Sequence, residues 1–247
     1  TPPSRCKFIG VHKNRMFLGS NNQYPGRVWW SEAFEAEAFN TDENFADFTR
    51  STGGRLTGLI EFNDQMVCFT EDQMFGIANV DQDVPSIYEI AKIGCVAPDS
   101  IQAGFGVLCW LGRGGAYVWD GNEPPQRVSD HTSAALGKMS LSSHGGSRAA
   151  IYDRLYEVHL IDGNNTIVLT SRYRYDLVTK TWATLAYPSV KAWAPLTVAT
   201  MPLGHVDANV RHPVYGQADK SGSDYAIYVG NVTTQDAGAN YTCQVET

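Results

Sequence analysis

The chain has 247 residues, 43% hydrophobic and 18% charged, with 23 Gly, 11 Pro, 10 Phe, 12 Tyr and 6 Trp. That balance excludes a disordered chain and favours an all-β globular protein over a helical one. The net charge is −7 with no Lys/Arg cluster, so the electrostatic footprint of tight nucleic-acid binding is missing, and no apolar run reaches the ~18 residues of a membrane-spanning helix.

In chain order, short alternating apolar runs separated by Gly, Asn and Asp turns recur throughout, the signal of antiparallel hairpins. Five segments read as strand, polar or Gly turn, strand: "CKFIGVHKNRMFLG", "TGLIEFNDQMVCF", "DSIQAGFGVLCWL", "RAAIYDRLYEVHL" and "HPVYGQADKSGSDYAIYVG". Their turn positions, Asn14, Asp64, Gly106, Asp153 and Asp224, are spaced 50, 42, 47 and 71 residues apart. The first three steps match the ~40–50 residues of a four-stranded propeller blade. The long last step is read as an inserted loop near 194–213, and the acidic stretch near 32–55 as a second insertion. In that stretch Phe34, Phe39, Phe45 and Phe48 suit a loop tucked onto a core better than a helix.

An aromatic third strand follows each hairpin, in "GRVWWSEA", "DQMFGIAN", "GGAYVWDG", "SRYRYDLV" and "ANYTCQVET". A fourth follows three of them, in "SIYEIAKI", "PQRVSD" and "KTWATLAY", while the fifth unit runs out after its third strand. A meander of this kind cannot bury both faces alone, so neighbouring sheets must stack face to face. The expected fold is therefore one all-β domain over 1–247, a β-propeller of about five four-stranded antiparallel blades, either closed or an arc of a larger propeller. The competing reading of the same pattern is a β-sandwich. The chain starts at Thr1 rather than Met, and the expectation is that residues precede it.

Motifs with chemical content are few. "YDLVTKTW", residues 175–182, has the Tyr-Asp, Thr and Trp spacing of a kelch-type blade, where Asp and Thr hold a turn and Trp fills the space between blades. Trp182 and Trp119 are the predicted inter-blade fillers. "LGRGGAYVWDG" lacks the Lys and Ser/Thr of a phosphate-binding loop, so Gly114-Gly115 and Asp120-Gly121 read as hairpin turns. The histidines His12, His131, His144, His159, His205 and His212 show no metal-ligand spacing. Cys6, Cys68, Cys95, Cys109 and Cys243 are odd in number and contain no CxxC, which argues for free thiols, buried and kept reduced. There is no nucleophile elbow and no sialidase Ser-x-Asp-x-Gly-x-x-Trp box. A carboxylate pair converging in a central funnel would be the one route to glycoside hydrolysis. Sequons at Asn164, Asn231 and Asn240 would matter only in a secreted eukaryotic protein. No catalytic residue, cofactor site or metal site is assigned, and no enzymatic role.

"NRMFLGS…GRVWWSEAFEAEAF", "GGRLTGLIEFNDQMVCFTEDQMFGI" and "IGCVAPDSIQAGFGVLCWLGRGGAYVWDG" resemble, in order and spacing, a run common in tail and head-to-tail connector proteins of tailed bacteriophages, especially podovirus-type tail nozzle or stabilisation proteins. The resemblance spans roughly residues 8–130, with markers Arg15, Ser31, Gly58, Asn63, Gly94, Ser100, Gly115, Asp120 and Gly121. It implies a virion structural protein, folded in the bacterial cytoplasm and assembled as a homo-oligomeric ring, six-fold in the family. Its partners would be other tail and connector proteins, with passive contact to exiting DNA and none to membrane. A net acidic wall agrees with that role, because Lys and Arg lining a channel would hold phosphates by counterion release. The alternative is a binding module at the tail tip that recognises a host-surface glycan or receptor, with Trp29, Trp30 and the loop at 32–47 as candidates. A third is a cellular kelch-like or glycosidase propeller.

Overall fold

The computed structural model describes residues 2–48, 54–82, 84–129, 141–152, 154–161, 167–184, 198–202, 211–218, 225–229 and 242–243. They fall into two compact units, Thr1–Leu141 and Ser142–Thr247. Apart from a 3-10 turn at Pro98–Ser100 and one helical turn at Leu141–His144, the described regular structure is β.

In the first unit, β1 (Phe8–His12), β2 (Arg15–Gly19), β3 (Arg27–Trp30) and β4 (Phe45–Asp47) form the first sheet. The second sheet is β5 (Leu56–Phe62), β6 (Gln65–Thr70), β7 (Met74–Ala78) and β8 (Ser86–Ala91), and the third is β9 (Gln102–Gly104), β10 (Val107–Gly112), β11 (Gly115–Trp119) and β12 (Gln126–Arg127). The second unit contains β13 (Arg148–Tyr152), β14 (Leu155–Ile161), β15 (Ile167–Asp176) and β16 (Thr181–Thr184), then β17 (Val198–Pro202), β18 (Arg211–Ala218), β19 (Tyr225–Val229) and β20 (Thr242–Cys243). Every sheet is four-stranded and antiparallel, with strands hydrogen-bonded in chain order. Within the second unit, β13 lies alongside β17 and β18.

The turns chosen from the sequence hold the hairpins of the first unit. Lys13-Asn14 (φ 48° and 57°), Asn63-Asp64 (53° and 59°) and Phe105-Gly106 (57° and 73°) are two-residue connections with both residues left-handed, the geometry that matches strand twist. Asn, Asp and Gly accept it readily, whereas Phe105 does not and stands 60% exposed. The turn expected at Gly114-Gly115 is instead Arg113-Gly114, because Gly115 (φ 132°) already opens β11 opposite Gly112, while Gly121 (φ 91°) lies with Asp120 in the β11–β12 connection as expected. Asp153 and Asp224 lie outside the described residues.

Successive sheets of the first unit are joined through their faces. Phe17, Val28 and Trp30 of the first sheet share a core with Met66, Cys68, Phe75 and Ile77 of the second. Val67, Phe69 and Met74, on the second sheet's opposite face, share another with Leu108, Trp110 and Trp119 of the third. Period-2 alternation is what gives β6 two apolar faces, and it reads as a continuous buried run because both are covered. Each large side chain so enclosed contributes about 1.5–3 kcal/mol.

The structure corrects three further expectations. The stretch near 32–55 is not only an insertion, since "FAD" within it is β4; Phe39 and Phe48 are buried as expected, but Phe34 is 82% exposed. The segment near 194–213 contains β17, so "HPVYGQADKSGSDYAIYVG" supplies the second and third strands of its sheet rather than the first two. Taking β18–β19 for a first hairpin shifted that unit by one strand and lengthened the last step. With β17 in place, Thr242–Cys243 is the fourth strand. Finally, Trp182 is half-buried and packs on Tyr175 at 5.0 Å, whereas Trp119 is only 5% exposed and is the inter-sheet filler expected of it.

Candidate functional site

The most polar buried constellation among the described residues lies on one face of β13–β15. Glu157 is opposite Ala150 on one side and Arg174 on the other, so strand register puts the two charges side by side. Arg174 donates to Glu157 Oε2 from Nη2 at 3.0 Å and from Nε at 3.3 Å, and the Tyr152 hydroxyl donates to the same oxygen at 2.6 Å. His159 Nε2 lies 3.0 Å from Oε1. Glu157 is fully buried, and Tyr152 and His159 are 2% and 1% exposed. Both carboxylate oxygens of the buried Glu157 are engaged, and the cluster ties three strands together, with only Arg174 reaching part-way to the surface. A buried carboxylate held by two guanidinium N–H groups on one oxygen is costly to leave unpaired. The sequence carried a signal that the reading above missed: Glu157 and His159 are two apart on a strand and therefore share a face, as do the alternating positions of "RYRYD".

The remaining predicted residues are placed in structural roles. Asp176 Oδ1 accepts from the backbone N–H groups of Val178 and Thr179 at 2.9 and 3.1 Å, and Thr179 Oγ1 lies 2.8 Å from Thr181 Oγ1, so the kelch-like stretch does hold a turn. The bonds from Thr179 and then Val178 hold the Asp176 carboxyl below its usual range. Asp120 does the same with Asn122 and Glu123, at 2.9 and 3.1 Å. Trp29 and Trp30, the candidates for a glycan platform, are 2% and 4% exposed and are core. Cys68, Cys95 and Cys109 are free, buried thiols; burial pushes Cys95 up to about 12 and the other two higher still. Cys6 is free and half-buried. No group of three or more His, Cys, Asp or Glu positioned to hold a metal occurs among the described residues. His131, His205, Asn164, Asn231 and Asn240 lie outside the described residues.

Several residues that carry the resemblance meet at joints, within a sheet or between one sheet and the next. Arg15 Nη1 donates to the Ser31 carbonyl at 2.8 Å, and Ser31 Oγ accepts from Met16 N at 3.0 Å. Ser100 Oγ donates to Ala97 O at 2.6 Å and accepts from Leu111 N at 3.0 Å, pinning the 3-10 turn to β10. A Cβ at Gly94 would run into the backbone of Thr70, Glu71 and Asp72, and the Gly94 carbonyl accepts from Trp110 Nε1 at 3.1 Å. Asn63, at the second hairpin tip, packs on the face of Gly121 at the end of β11. The tips of the first two hairpins are themselves bridged by Lys13 Nζ and Asp64 Oδ1 at 2.8 Å.

No protein-family model and no curated protein matches the chain. Among solved structures it is similar to a computationally designed protein, Ika8, with a TM-score of 0.52 and 12% identity over 91% of this chain and 58% of that one. It is also similar to the extracellular domain of a hybrid two-component system from B. thetaiotaomicron, with a TM-score of 0.57 and 8% identity over 99% of this chain and 28% of that one. The chain thus spans less than two thirds of the length of either structure, and at these identities the likeness is one of fold alone.

Proposed function

We propose that this chain is a structural module of a tailed-bacteriophage virion, part of the tail nozzle or head-to-tail connector around the DNA-exit channel. In this reading its four-stranded sheets are the blades of a β-propeller, about five in number, and copies of the chain assemble into a ring. The observation that supports it best is the fate of the marker residues. Asn63 with Gly121 and Gly94 with Trp110 meet between the second and third sheets, while Ser100 with Leu111 and Arg15 with Ser31 pin turns and strands of one sheet. Markers that serve packing suit a structural role, and the net charge of −7 suits a wall past which DNA slides.

The test is location. Antibody raised against the purified chain should label the tail of intact virions of the phage that encodes it, and should still do so after high-salt washing. Absence from purified virions, with the protein found only in the lysate of infected cells, contradicts the reading.

A further inference from the structure

The joint between the first and second sheets and the joint between the second and third differ in kind at one equivalent position. His12 pairs with Arg15 across its hairpin as Phe62 pairs with Gln65 across the next, so the two residues match. Phe62 faces the third sheet, where its ring packs on Trp119 at 5.5 Å. His12 faces the second sheet: a Cβ on Gly10, two residues back on the same face of β1, would meet Leu59 and Met66. An aromatic contact closes one joint, and an ionisable ring closes the other.

His12 is 5% exposed, with the Phe17 ring 6.4 Å away. Its Nδ1 lies 3.8 Å from Glu61 Oε1, and its Nε2 is buried with no hydrogen-bond partner among the described residues. A neutral imidazole with its hydrogen on Nδ1 tolerates that setting, since Nε2 then carries only a lone pair. Protonation puts a second N–H on Nε2, inside the joint, where no acceptor meets it. The charged groups around the ring do not offset this. Glu61 is half exposed, so water screens its pull, and Asp64 is committed to Lys13 at 2.8 Å. Asp81, in the β7–β8 connection, is exposed; Lys13 repels an imidazolium from the next residue, and Arg15, the strand partner of His12, turns to the Ser31 carbonyl and Glu32.

We propose that His12 is an acid-sensitive latch on the joint between the first two sheets. Taking up a proton from solvent at Nε2, it releases the β1–β2 hairpin from β5 and β6, while the second joint, closed by Phe62 and Trp119, stays shut. In the open joint the imidazolium reaches water, so the open form binds the proton more readily than the closed one and acid favours opening. The joint carries its own reporter. Cys68 lies in the core between the first two sheets and Cys95 in the core between the second and third, and both are fully buried. Every residue involved belongs to the first unit, so the latch needs no second copy of the chain.

The experiment labels the native chain with dithiodipyridine at pH 7.5 and pH 5.0 and reads Cys68 and Cys95 separately by peptide mass mapping. Their ratio cancels the pH dependence of thiol reactivity itself. One proton taken up on opening multiplies the open population by up to about 10 for each pH unit between the free and buried histidine values, so the Cys68-to-Cys95 ratio should rise about 10-fold. Amide exchange, corrected for intrinsic rates, should lose protection over residues 8–19 at the lower pH and keep it over 107–119. In His12→Phe both changes should vanish. A ratio that does not move with pH, a parallel rise of both cysteines, or a pH response that survives in His12→Phe overturns the proposal. Should His12→Phe misfold, His12→Gln replaces it: loss of the pH response supports the latch, and its persistence overturns it.

Discussion

The Trp110 indole N–H donates to the Gly94 carbonyl at 3.1 Å, inside the core that joins the second and third sheets. Trp110 is fully buried, between Phe69 at 5.2 Å and Tyr117 at 5.7 Å, so the bond cannot be replaced by water. Trp110→Phe should cost about 1–3 kcal/mol, the penalty of a buried carbonyl left without its donor plus the lost ring volume. Gly94→Ala should cost at least as much, since no rotamer relieves a Cβ pressed on backbone. Equilibrium urea unfolding measures both, and unchanged midpoints would contradict the placement of either residue.

The half-burial of Trp182 and the full enclosure of Trp119 predict unequal effects from the same change. Trp119→Ala should destabilise by about 3–5 kcal/mol and Trp182→Ala by clearly less, read from the midpoint shifts of the two variants. Equal losses would mean that Trp182 is as enclosed as Trp119.

Glu157, fully buried, pairs in the second unit with Arg174, which is only half-buried, and the cost of breaking the pair should be asymmetric. Arg174→Met should destabilise by about 3–5 kcal/mol, because it leaves the buried Glu157 carboxylate uncompensated, and Glu157→Gln by less, because the half-buried Arg174 guanidinium can be solvated. The double variant should lose less than the sum of the two. Additivity in the double-mutant cycle would show that the two groups do not interact.

His12 predicts an acid-side loss of stability. It is 5% exposed, Nε2 has no hydrogen-bond partner, and burial lowers its pKa from 6.5 although Glu61, 3.8 Å away, Asp64 and Asp81 pull it back up. The unfolded state then binds the proton more readily than the folded one. The contribution is therefore complete above the unfolded value of about 6.5 and is lost progressively as pH falls below it toward and through the folded value. His12→Phe, the residue at the matching position of the second sheet, should flatten the difference between stability at pH 7.5 and pH 5 relative to the parent. An identical pH profile for the two proteins would show that His12 is not the group responsible.

The buried thiols give a chemical test of the same packing. Cys68, Cys95 and Cys109 should react with a thiol reagent only on unfolding, and partly buried Cys6 ahead of them. Fast modification of Cys109 in the native protein would place it at the surface.

Much of the fold was legible because hairpins announce themselves locally. Asn14, Asp64 and Gly106 mark turns whose left-handed residues only a few side chains accept, and the aromatic third strands follow at fixed distances. β4 and β17 escaped because neither has that signal. Phe45–Asp47 is three residues long inside an acidic stretch, and Val198–Pro202 is flanked by the Pro and Gly residues that usually mean loop. Phe34 was misplaced for a related reason. Spacing of apolar residues says that a loop is anchored, as Phe39 and Phe48 anchor this one, but not which ring is left outside. The Glu157 cluster was hidden because its members meet across three strands, and only the register of β13–β15 puts Arg174 opposite Glu157.

The proposed structural role requires that copies of this chain assemble into a ring. Negative-stain electron microscopy of the purified protein tests that most directly. Rings of several copies around an open channel are the predicted particles; a field of single, channel-free molecules at all concentrations would contradict it.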